Sequence, residues 1–119
     1  MEIVKDVFRT VQEQGIRLGG ARLADYVSED ARVHLYSTAG RVLEGPEEVR
    51  EYFAEVERAG TQVILRPQVF EEDGDAVTVV GSVRIQRAQG GFAETQIRWT
   101  WRFRDDLIVS TTWEPSAGV

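Results

Sequence analysis

The chain contains no cysteine. That excludes disulfides, thiolate nucleophiles, Cys-ligated zinc and iron–sulfur clusters. It contains one histidine, His34, so metal sites built on several histidines and two-histidine acid–base schemes are excluded as well. Asparagine is absent, and lysine occurs once against 13 arginines. Replacement of lysine by arginine is a weak signal of heat adaptation; codon bias in a GC-rich genome accounts for it equally well. Positive charge is in short supply, with 14 basic against 20 acidic residues and a net charge of −6. An acidic chain is a poor match for the phosphates of nucleic acid, so no nucleic-acid partner is expected. No apolar run approaches the roughly 20 residues of a membrane span, so no membrane partner is expected. The opening residues lack the basic start and apolar centre of a signal segment, and a cytoplasmic location is the default expectation.

What is present suits one globular domain over residues 1–119, with 42% hydrophobic and 29% charged residues. The most informative stretch is 94–104, ETQIRWTWRFR. Ile97, Trp99, Trp101 and Phe103 alternate there with Gln96, Arg98, Thr100 and Arg102. A period of two predicts a strand with one dry and one wet face. Two indoles on the dry face need space, and their N–H groups need partners, so a curved sheet around a cavity is expected.

The spacing of Ile3, Val4, Val7, Phe8 and Val11 predicts a helix over 2–14. Gly15 and then the pair Gly19 and Gly20 break it, and a second short helix is expected over 21–28, with Leu23, Ala24 and Val27 inward and Tyr26 at its edge. A short hairpin follows, with strands at 32–36 and 41–44 and a turn at 37–40. Gly45, Pro46, Glu47 and Glu48 make a helix start, with Pro where no N–H is needed and carboxylates at the positive end of the dipole. Val49, Tyr52, Phe53 and Val56 form its inward stripe, and Gly60 closes it. Four alternating segments then run over 61–72, 75–88, 92–104 and 107–114, joined by short turns. Such connections give an antiparallel meander. Gly81 in mid-strand marks a bulge or bend. The apolar face of that meander (Val77, Val79, Val83 and Ile85, then Ile97 to Phe103, then Val109 and Trp113) can be covered only by the helices. The fold class is therefore α+β: a cone-shaped, curved antiparallel sheet, a four-stranded meander plus a short hairpin, wrapped around three helices.

Three segments, YVSEDARVH at 26–34, LEGPEEVREYF at 43–53 and WRFRDDLIV at 101–109, resemble the nuclear-transport-factor-2-like cone proteins. Within them the chain resembles the SnoaL-like and ketosteroid-isomerase-like members. The fold so implied hosts isomerases, cyclases, dehydratases, epoxide hydrolases and inert dimerisation modules, so activity must be argued from the site. The resemblance places the isomerases' general-base Asp at Leu35, their proton-donating acid at Trp99 and their hydrogen-bonding Tyr near Val11. None of these residues can do that chemistry. The Asp–Arg–Asp set of the epoxide hydrolases has no equivalent on the apolar face either.

Other candidates remain. The resemblance implies a His at His34, a general base at neutral pH if it reaches the pocket. Strand alternation puts it opposite Val33 and Leu35, which favours a structural role. Tyr26, Tyr36 and Tyr52 carry phenols able to donate a hydrogen bond to a carbonyl or enolate. Of these, Tyr52 lies in the inward stripe, most simply as a core residue with its hydroxyl at the rim. Trp99, Trp101 and Trp113 line a cavity or fill the core, with Trp99 the candidate that touches ligand, and Thr95 and Thr111 are placed to add hydroxyls. Glu44 near the pocket mouth reads as a solvated charge, and Asp105 with Asp106 as an ordinary turn. The outer sheet face, Thr78, Ser82, Arg84 with Gln96, Arg98, Thr100, is polar without a dominant sign; the resemblance implies a homodimer through it. The expected function is non-catalytic binding of a small apolar molecule, or dimerisation, without metal or cofactor. The alternative is a cofactor-independent isomerase, cyclase or dehydratase acting on a small apolar carbonyl compound, with His34 or Tyr52 as its acid–base group.

Overall fold

A computed structural model describes residues 1–36 and 40–116. Two helices, α1 (Glu2–Gln14) and α2 (Ile16–Tyr26), open the chain. Strand β1 (Val27–Val33) and the two-residue β2 (Leu43–Glu44) precede helix α3 (Gly45–Arg58). Strands β3 (Gln62–Asp73), β4 (Ala76–Gln86), β5 (Phe92–Arg104) and β6 (Leu107–Pro115) complete it. The sheet runs β2-β1-β6-β5-β4-β3. It is curved and unclosed, and the helices fill its hollow. No helix among the described residues is long and apolar enough to cross a membrane.

The four long strands pair antiparallel in sequence order, as their alternation and short turns predict. The β5–β6 turn puts Asp105 at φ 53 and Asp106 at φ 64, the left-handed pair that a two-residue hairpin needs and that Asp tolerates. The β3–β4 register shifts between Pro67 and Val69, opposite Gly81. A Cβ on Gly81 would lie 2.4 Å from the Arg66 carbonyl oxygen, so the bulged strand can come this close only to glycine.

Inward residues make one core. Val4, Val7, Phe8 and Val11 of α1 and Val49 and Phe53 of α3 meet Val77, Val79, Val83, Ile97, Trp99 and Trp101 of the sheet, all buried. At α3, Pro46 sits in the first turn and the Glu48 carboxylate accepts the Glu44 backbone N–H at 3.0 Å.

The first half of the chain departs from expectation in several places. Helix α2 starts at Ile16 and runs straight through Gly19 and Gly20. These glycines do not break the helix; they let it sit close to its neighbours. A Cβ on Gly19 would lie 2.2 Å from a Val11 methyl, and one on Gly20 would lie 2.4 Å from the Phe53 side chain. Tyr26 ends α2, and Val27, expected as a helical residue, begins β1. The expected strand at 32–36 thus lies five residues earlier and its return strand shrinks to β2, with Arg32 opposite Glu44 and Val33 opposite Leu43. Ser37, Thr38 and Ala39, within the expected turn, lie outside the described residues. Nor is the sheet wholly antiparallel, because β1 pairs parallel with β6, Val33 opposite Thr111. Finally, a register shift between Arg102 and Phe103 makes Val109 an extra residue on β6. Ile108 takes the buried place expected of Val109, which stays half-buried.

The close approach of α2 to α3 sets the sign of a substitution. Gly20→Ala should destabilise the protein by about 1–3 kcal/mol through overpacking on Phe53. The same change in an open helix interior would stabilise by about 0.5–1 kcal/mol. Urea unfolding of the two proteins reads the difference, and a raised midpoint would contradict the packing described.

Candidate ligand-binding site

The hollow between the helices and the sheet holds two neighbouring spaces that share wall residues. An inner chamber of about 60 Å³ is walled by Phe8 and Val11 of α1, Phe53 of α3 and Trp99 and Trp101 of β5, with Leu35 from the segment after β1. An outer chamber of about 450 Å³ opens at the wide end of the cone, walled by Tyr52 and Val56 of α3, Ile85 of β4, Trp113 of β6 and Arg87. Tyr36 and Val63 border both and form the neck. The outer volume suits a small organic molecule. The inner one has room for a few atoms, the tip of such a molecule or a few waters.

Aromatic contacts fix the walls. The Phe8 ring meets Trp99 edge-on at 5.4 Å and Trp101 at 5.8 Å, and Phe70 edge-on at 5.9 Å. At the neck, Tyr36 packs edge-on against Trp113 at 5.1 Å. Tyr52 packs on Phe53 at 5.0 Å, with the Arg41 guanidinium 5.7 Å from its ring centre. Trp101 contradicts the expectation that each buried indole N–H finds an acceptor. Its Nε1 is occluded and unpaired among the described residues. A lost partner of this kind costs about 1–3 kcal/mol, which burial of the large ring offsets.

The candidates named from the sequence divide clearly. Trp99, Trp101, Trp113, Tyr36 and Tyr52 all border the hollow. Thr111 is fully buried, and its hydroxyl donates to the His34 carbonyl at 2.9 Å, while the His34 N–H donates to the Thr111 carbonyl at 3.0 Å. This clasp ties the end of β1 to β6 and commits both residues to the backbone. His34 lies just past β1, half-buried, and neither it nor Thr95, opposite Val83 on β5, is among the wall residues of either chamber. Tyr26 is turned elsewhere: its hydroxyl donates to Asp6 Oδ2 at 2.9 Å, and Arg22 lies 3.6 Å from the same oxygen. That hydrogen bond, with burial and the Asp6 charge, raises the Tyr26 pKa above its usual value. Glu44 is exposed and pairs with Arg32 at 3.4 Å. Sequence reasoning missed Arg87 and Arg41 at the mouth; they follow or precede strands as isolated arginines, with no pattern to mark them.

Leu35, Trp99 and Val11 all wall the inner chamber. These are the positions where the isomerase resemblance sets a base, an acid and a phenol. No Asp, Glu or His is among the wall residues of either chamber, and no cluster able to hold a metal ion exists among the described residues.

The sequence profile of the SnoaL-like domain matches residues 4–111. The chain belongs to the SnoaL-like family. Solved structures with the nuclear-transport-factor-2-like fold share its architecture. A protein of unknown function from Burkholderia pseudomallei is 20% identical, with 98% of this chain and 89% of that one covered at a TM-score of 0.77. A ketosteroid-isomerase-like protein from Catenulispora acidiphila, solved with trimethylamine, is 16% identical over 98% and 86%, TM-score 0.78. A candidate polyketide cyclase from Sinorhizobium meliloti is 15% identical over 96% and 94%, TM-score 0.73. At these identities the likeness to the solved structures is one of fold. No curated protein matches the sequence.

Two substitutions test these placements. Trp99→Ala should lower stability by about 3–5 kcal/mol, since the ring is both core and wall. Trp113→Ala, at a half-exposed ring, should cost distinctly less; equal losses in urea unfolding would refute the division. Tyr26→Phe should cost about 0.5–1.5 kcal/mol at neutral pH. Because the folded pKa is raised, that contribution is complete below the ordinary tyrosine value of 10.0 and fades as pH climbs through the raised one. Unfolding midpoints of the two proteins should therefore differ at neutral pH and converge as pH climbs above 10.0 through the raised value.

Proposed function

We propose that this SnoaL-like protein binds a small apolar molecule in the cone without transforming it. One observation carries the reading: Leu35, Trp99 and Val11 occupy chamber positions that the resemblance gives to acid–base groups. Apolar side chains stand in the hollow where proton transfer needs ionisable ones. Tyr52 and Tyr36 at the mouth are the remaining phenols, and they serve here as aromatic wall. A cyclase, isomerase or dehydratase reading keeps some support from relatives described as candidate polyketide cyclases. It would have to work with phenols and guanidinium groups alone.

A second copy of the chain is the partner we assign to the outer sheet face. Arg66, Arg98 and Arg102 share that face with Glu71 and Glu114, and among the described residues none of the five has an ion pair. Charges of both signs on one face can pair across a two-fold axis. Gln96 and Gln68 already hydrogen-bond across β4 at 2.6 Å, giving this face a fixed relief.

Two measurements decide. Titration with aromatic ketones should change tryptophan emission, because three indoles border the hollow, and the ketone should be recovered unchanged. A turned-over ketone would favour the enzyme reading, and an unresponsive protein would remove the ligand. Light scattering at micromolar concentration should give twice the 13.4 kDa chain mass; the single mass would refute the dimer.

A further inference from the structure

The two chambers carry a polarity that apolar binding does not use. The chain has 20 acidic residues, yet no carboxylate is among the wall residues of either chamber. Among the described residues, the only charged wall residue of either is Arg87, in the outer chamber. Its backbone is fixed at both ends of the β4–β5 turn: its N–H donates to the Gly91 carbonyl at 3.2 Å, and its carbonyl accepts from Gly90 at 3.1 Å. The Arg41 guanidinium lies over the Tyr52 ring, itself part of the wall. Among the described residues neither guanidinium has a carboxylate partner. Most of the arginines on the helices do: Arg9, Arg17, Arg22 and Arg50 each lie within 4.0 Å of an acid. Two unpaired cations at the rim of an aromatic funnel, in an acidic protein, make a polar end for an otherwise apolar site.

We propose that the ligand is a small aromatic carboxylic acid, held ring-inward and acid-outward. The ring lies in the outer chamber among Tyr36, Ile85 and Trp113, its tip at the neck. The carboxylate stays at the mouth on Arg87, whose planar fork matches two carboxylate oxygens, and the Arg41 charge over Tyr52 adds to the positive field. The same orientation keeps the charge out of the inner chamber, where desolvation would be prohibitive. A neutral isostere would fill the same space and lose the pairing at the rim.

This inference rests on the small-molecule reading above, and its test separates the two. Tryptophan fluorescence titrations would compare 2-naphthoic acid with 2-acetonaphthone, which has the same ring system and no charge, at neutral pH. The acid should bind about fivefold to tenfold more tightly, in line with one partly solvated ion pair. Arg87→Ala should abolish that preference by weakening the acid more than the ketone. Arg87→Lys should restore part of it, and added salt should weaken the acid alone. Equal affinities for acid and ketone in the wild type, or a preference that survives Arg87→Ala, would overturn the carboxylate proposal and leave the apolar-ligand reading standing. Binding of neither compound would overturn both.

Discussion

The contact of one phenyl ring with the floor of the sheet holds the architecture together. Phe8 projects from α1 and meets Trp99, Trp101 and Phe70 at once, two neighbouring positions of β5 and one of β3. A sheet this long has to twist, and a twisted sheet needs something convex to close upon. Helix α1 supplies it. The helix places Phe8 one turn from Val4 and Val11, so the same stripe that buries the helix sets the depth of the hollow.

The legible part of the fold was the part ruled by periodicity. Strands β3 to β6 alternate over nine or more residues, and their turns carry Gly or Asp where the backbone needs left-handed φ. The first forty residues were harder because glycine has two opposite meanings. Gly15 does end α1, but Gly19 and Gly20 sit inside a helix, where their missing side chains admit Val11 and Phe53. Only the partner helices distinguish a breaker from a packing glycine, and a linear pattern does not contain them. Val109 failed for a similar reason: one inserted residue in β6 exchanges the faces on either side of it, and alternation read straight through the bulge picks the wrong residue.

The site was legible in its aromatics and not in its charges. Alternation put Trp99 and Trp101 on the inner face, and the structure brings both to the chamber. Thr111 looked like a polar group in search of a ligand, yet its hydroxyl is spent on the His34 carbonyl, and the His34 backbone N–H returns a bond to the Thr111 carbonyl. Arg87 and Arg41 have no periodic or motif context, and their places beside the chamber wall exist only once the cone has closed. The cavity thus combines walls that follow from local pattern with a rim that follows from topology.

The Thr111–His34 clasp also sets an order of assembly. It joins residues 77 apart in sequence, whereas strands β3 to β6 each meet the next across a short turn. Closing a long loop is entropically unfavourable until many contacts reward it. The meander can therefore form as a template from local hairpins, and the helical half is expected to be stitched to it late, by β1 sliding in beside β6. Pulsed hydrogen exchange during refolding would show the His34 amide protected after those of β4 and β5. On this view the cavity does not exist in the folding chain until its final seam is closed.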